Sequence, residues 1–89
     1  MIEVNEKTNK YLVNLNEVMK LKDFVAKITK FDFDVDAKTI NRDAIYDAKS
    51  IMALFALDLS KDIEIIPHTN DVDKLKIFEE TIGEYISRN

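Results

Sequence analysis

Apolar positions recur along the chain with two different periods, and the two periods take turns. Tyr11, Val13 and Leu15 share one face of a period-two pattern, which predicts a strand over 11–15. Val18, Leu21, Phe24, Val25 and Ile28 then recur at helical spacing, opposite Lys20, Lys22, Asp23 and Lys27. This is an amphipathic helix of about 13 residues ending near Lys30, with Asn16 as its N-cap and Glu17 in its first turn. Phe31, Phe33, Val35 and Ala37 alternate strictly with Asp32, Asp34 and Asp36. That segment predicts a strand with one wet face.

Lys38 to Asn41 reads as a connection, and Arg42 to Asp47 as a short strand. Periodicity leaves open whether Ile45 or Tyr46 points inward there. Lys61 to Ile66 predicts another strand, with Ile63 and Ile65 inward and Glu64 outward. Pro67 ends it, because proline has no N–H to donate to a ladder. Thr69 or Asn70 caps a last helix, and Asp71 and Asp73 suit its positive end. Leu75, Phe78, Ile82, Tyr85 and Ile86 form its inner stripe. Gly83 costs that helix up to about 1 kcal/mol relative to Ala, and its missing side chain gives room for a close approach. Met1 to Asn9 has no period and reads as a polar tail or the start of a strand.

The predicted order is therefore β-α-β-β-α-β-α in one domain over 1–89. Wet-faced strands imply an antiparallel four-stranded sheet. Helices with one apolar face imply that they cover the same side of it, giving an α+β open-faced two-layer sandwich.

One stretch does not fit a simple core role. Between Asp47 and Leu59 charges are few, and Ser50 stands where an N-cap would, followed by Ile51, Met52, Leu54 and Phe55. So short a helix cannot hide four large apolar side chains on one stripe about 100° wide. Some face the core and some face solvent, and an exposed apolar patch marks a partner site.

Composition narrows the chemistry. With 46% apolar and 34% charged residues the 89-residue chain is an ordinary globular one. No cysteine is present, so disulfides and thiolate zinc sites are excluded. The net charge of −4 carries no basic footprint for nucleic acid. No apolar run is long enough for a membrane span, and the start lacks a basic region followed by an apolar one, so a cytoplasmic location is expected. Asp32, Asp34 and Asp36 suggest calcium, but on a strand they stand in a row, without the turn glycine and closing glutamate of a calcium loop. No metal or other cofactor is expected. The single glycine rules out a glycine-rich phosphate cradle. Glu79 and Glu80 are neighbours on a helix and cannot face each other. His68, the one histidine, follows Pro67 in a turn and reads as a solvated polar residue. No catalytic residue, and no enzyme, is expected from these patterns.

Lys49-Ser50-Ile51-Met52, continuing through Ala53-Leu54-Phe55-Ala56-Leu57, resembles the regulatory segment of HPr, the phosphocarrier protein of the bacterial sugar phosphotransferase system. Thr29-Lys30-Phe31-Asp32 is similar to the segment before that family's second strand, and Phe78-Glu79-Glu80-Thr81-Ile82 to its last helix. The likeness covers about residues 10–86 and implies an HPr-like fold. It also implies that Ser50 stands at the family's regulatory serine, the target of a dedicated serine kinase. Lys49, Ile51, Met52 and Phe55 then form the partner surface. The family's phospho-accepting histidine is missing: Glu17 stands at its position and Met19 at that of the arginine beside it. A glutamate cannot carry a stable phosphoramidate. Ala53 and Asp58 replace two family glycines.

The resemblance implies an HPr-like protein that does not carry phosphohistidine. It would act as a regulatory or protein-binding module, with protein partners on the Ser50 helix and neither nucleic acid nor membrane among them, as a monomer or weak dimer. The alternatives are an active phosphocarrier with an atypical site, which needs His68 near the start of the first helix, or a small ligand-binding or dimerisation domain.

Overall fold

The computed structural model describes residues 9–87; the segment read as a tail or strand start lies, but for Asn9, outside the described residues. The elements in chain order are β1 (Tyr11–Val13), α1 (Val18–Ile28), β2 (Val35–Thr39), β3 (Tyr46–Asp47), α2 (Ile51–Leu54), β4 (Ile63–Pro67) and α3 (Val72–Ile82), followed by a 3-10 turn, Gly83–Tyr85. The strands form one sheet in the order β1-β4-β2-β3, and every pairing is antiparallel. The described residues are thus α+β, with an open four-stranded antiparallel sheet and three helices, an arrangement compatible with a sandwich.

One apolar cluster holds the elements together. It combines Val13 of β1, Val35 and Ala37 of β2, and Ile63 and Ile65 of β4 with Leu21, Phe24, Val25 and Ile28 of α1, Leu54 of α2, and Phe78 and Ile82 of α3. Phe78 is its aromatic hub. Its ring lies 5.2 Å from Phe31, 5.7 Å from Phe33 and 6.0 Å from Tyr11, centroid to centroid. Phe24 meets Tyr85 edge to face at 5.2 Å. Such tilted and edge-on contacts suit the ring quadrupole.

Several element boundaries differ from the expected ones, and the ladder explains most of them. The aspartate-rich strand begins at Val35 and not at Phe31. Val35 pairs with Pro67, the last residue of β4, so nothing remains for 31–34 to pair with beyond the His68 N–H, which donates to the Asp34 carbonyl at 2.8 Å. Alternation still sorts the side chains: Phe33 is buried, Phe31 is half-buried and Asp32 and Asp34 are exposed. Pro67 is the final residue of β4 rather than its stop; at the end of a strand proline's missing N–H is tolerated. β3 is only Tyr46–Asp47, because residues 39–42 form a turn in which the Arg42 N–H donates to the Thr39 carbonyl at 3.1 Å. Asn41 takes φ 68° there, which asparagine accommodates better than most residues. Tyr46 packs against the core and Ile45 is exposed, which decides the alternative that periodicity left open.

Helix ends shift as well. β1 stops at Val13, and the Asn14 N–H donates to the Tyr85 carbonyl. Asn16 is not the cap of α1; Glu17 is, in an extended conformation, and Asn16 instead turns its N–H toward Asn14 Oδ1. Val18, expected on the inner stripe, is exposed. Asp71 caps α3, its Oδ1 accepting from the Asp73 and Lys74 N–H groups at 3.0 and 3.2 Å, in place of Thr69 or Asn70. Tyr85 and Ile86 fall beyond α3: Tyr85 is buried within the 3-10 turn, and Ile86 bridges to Val13. A Cβ placed on Gly83 would meet nothing within 4 Å, so no close approach depends on this glycine.

Candidate functional site

The Ser50 segment is set in place from both sides. Upstream, the buried Ala48 donates its N–H to the Val35 carbonyl at 2.9 Å, prolonging the β2 pairing by one bond. Lys49 gives its N–H to Asp47 Oδ1 at 2.9 Å and its Nζ to the Phe31 carbonyl at 2.6 Å. Ser50 is then extended, with φ −109° and ψ 114°, and its Oγ accepts from the Ala53 N–H at 3.1 Å. That is the N-cap geometry its residue type favours. Downstream, Leu54 is fully buried and Ile51 is half-buried against the core. Met52 and Phe55 are not drawn in: they are 82% and 48% exposed. The four apolar residues thus divide into two that fasten the helix and two that face solvent.

The other end of the family resemblance looks different. Glu17 is exposed at the head of α1, and its carboxylate makes no capping bond. Met19 is 74% exposed. Neither side chain offers a nitrogen nucleophile, and α1 begins there without a side-chain cap.

His68 has a carboxylate partner that sequence could not reveal, since Asp36 lies far away along the chain. Its Nε2 is 2.6 Å from Asp36 Oδ2. This pair is at the wrong end of the sheet for chemistry at α1. Val13, which leads toward α1, pairs with Ile63 at the start of β4, whereas His68 follows the end of β4. His68 lies five positions beyond Ile63, roughly 17 Å along the sheet. The other aspartates disperse: Asp32 is bound by Lys74 Nζ at 2.9 and 3.0 Å, which lowers its pKa, while Asp34 is exposed. No group of three or more His, Cys, Asp or Glu side chains among the described residues converges to hold a metal. No helix among them is long and apolar enough to cross a membrane.

A second polar cluster ties α1 to the 3-10 turn. The Tyr85 hydroxyl donates to Asp23, and Lys27 bridges Asp23 and Glu84. The hydrogen bond from Tyr85 holds the Asp23 carboxyl below its usual range, and the bond to Glu84 pushes the Lys27 ammonium up. Burial, then the Asp23 hydrogen bond, push the Tyr85 hydroxyl up to about 12. Sequence carried a partial signal for this cluster: Asp23 and Lys27 are four apart on one helix face, spacing at which opposite charges meet.

Compared with models of known protein families and with curated proteins, the chain gives no match.

Proposed function

We propose that the chain is an HPr-like regulatory or protein-binding module that docks a protein partner through α2 and does not pass on phosphohistidine. The observation that carries this reading is the exposure of Met52 and Phe55 on a helix anchored by the buried Leu54 and capped by Ser50. A preformed apolar surface loses little conformational freedom on binding. The open antiparallel sheet and the antiparallel strand order support the resemblance, and Glu17 at the head of α1 speaks against carriage of phosphate, because a carboxylate repels it.

Ser50 is the control point in this reading. A phosphate on its Oγ keeps acceptor oxygens beside the Ala53 N–H and adds close to two negative charges next to Met52. A partner that buries Met52 and Phe55 then has to desolvate that charge.

The test is affinity capture from the host with the wild type, Phe55→Asp and Ser50→Asp. The expected outcome is a partner retained by the wild type and lost with Phe55→Asp, at unchanged thermal stability. Capture that is indifferent to Phe55→Asp overturns the reading. Incubation with phosphoenolpyruvate and the upstream phosphotransferase enzyme is expected to leave no acid-labile phosphate on the chain; a phosphorylated product restores the carrier alternative.

A further inference from the structure

A groove runs between the C-terminal end of α1 and α3, on elements other than α2, with a volume of about 570 Å³. Its apolar lining is half-buried Phe31 and Ile77, which is 54% exposed. Its walls are charged and opposite in sign. Lys27 and Lys30 stand on the α1 side, Glu80 and Glu84 on the other. Lys27 and Glu84 meet as an ion pair. Lys30 and Glu80 are the next positions along the same two walls, yet neither has an ion-pair partner among the described residues.

The geometry points to a binding site here for a small zwitterion with an apolar body, the chemistry of an apolar amino acid or a short apolar peptide. A carboxylate beside Lys30 and an ammonium beside Glu80 satisfy both walls, and the apolar body covers Phe31 and Ile77. Other ligand classes fit worse. A plain anion faces Glu80 and Glu84, a plain cation faces the lysines, and a neutral apolar molecule desolvates both charges without replacing their water. The volume lies within the range of small-molecule sites. The walls are open to solvent, where ion pairs are weak, so the affinity is on the order of millimolar.

The experiment is an amide NMR titration of the isotope-labelled full chain with three probes: free leucine, the Leu-Leu dipeptide, and N-acetyl-leucinamide, which has the same side chain and no end charges. The expected result is saturable shifts confined to the amides around Lys30, Phe31, Ile77 and Thr81, with one zwitterion or both. The tighter of the two tells a free amino acid from a peptide terminus. The end-blocked probe binds about tenfold more weakly or not at all, and Lys30→Gln and Glu80→Gln each weaken the zwitterions several-fold. Both variants change exposed side chains that have no ion-pair partner among the described residues, so their spectra elsewhere stay as in the wild type. Absence of saturable shifts with either zwitterion overturns the proposal, as does equal binding of the end-blocked probe.

Discussion

α1 and α2 begin alike, each with a polar residue in extended conformation followed by apolar side chains, and they are held by opposite means. α1 is eleven residues long and buries Leu21, Phe24, Val25 and Ile28, while its head is uncapped. Its far end is tied down by the Asp23–Lys27–Glu84–Tyr85 cluster. α2 is four residues long, buries only Leu54 and depends on the Ser50 cap. A long helix gets its stability from its buried face and can leave its first turn unsatisfied. A single turn has no such reserve, so its cap and its one anchor decide whether it exists.

The sharpest test of that contrast is Phe24→Ala, expected to cost about 3–5 kcal/mol in urea unfolding, because it empties the centre of the α1 face. Leu54→Ala is expected to cost about 2–5 kcal/mol, as the removal of a fully buried leucine does. If it instead leaves the global midpoint unchanged, α2 is an appendage to the core and the comparison fails. A pH series probes the cluster at the end of α1. Tyr85 titrates at about 12 when folded, against an ordinary value of 10.0. Between those values the folded chain keeps a proton that the unfolded chain has released. The stabilisation is therefore complete below about pH 10 and is lost as pH rises toward 12, and the urea midpoint should fall over that window. Ser50→Ala is expected to cost about 1 kcal/mol, while Glu17→Ala at the uncapped head changes stability by no more than about 0.5 kcal/mol. Phe55→Asp should likewise change the unfolding free energy by no more than about 0.5 kcal/mol, since its side chain is already half in solvent.

Which parts of this were legible in the sequence follows from what periodicity measures. It reports which face of an element is buried, and there it did well: Leu21, Phe24, Val25 and Ile28 face inward, as do Ile63 and Ile65. It does not report where a ladder stops. Phe31 and Phe33 alternate like strand residues, yet they turn inward without pairing, because β4 ends at Pro67 opposite Val35. Caps were only half readable. Ser50 had no competitor beside it, whereas the tract before α3 offered Thr69, Asn70 and Asp71, and the bond geometry chose Asp71. At the candidate site, the surplus of apolar residues around Ser50 could be counted, but their division could not. Met52 faces out and Leu54 in because of how Ala48 docks on β2, a tertiary fact. The His68–Asp36 pair and the Lys30–Glu80 groove join residues far apart in the chain, and no local pattern announces them.

The edge of β1 has a consequence for how the chain must assemble. β1 pairs on one side with β4, and its other side is closed by Ile86, bridged to Val13, and by Ser87, whose N–H donates to the Leu12 carbonyl. Both neighbours are distant in the chain, while β2 finds β3 within a few residues. Among the described strands, the earliest in the chain is thus the last to be fully paired. The slow step of folding should be the closing of that long loop, and it is β1, not the β2–β3 hairpin, that waits exposed until Ser87 arrives.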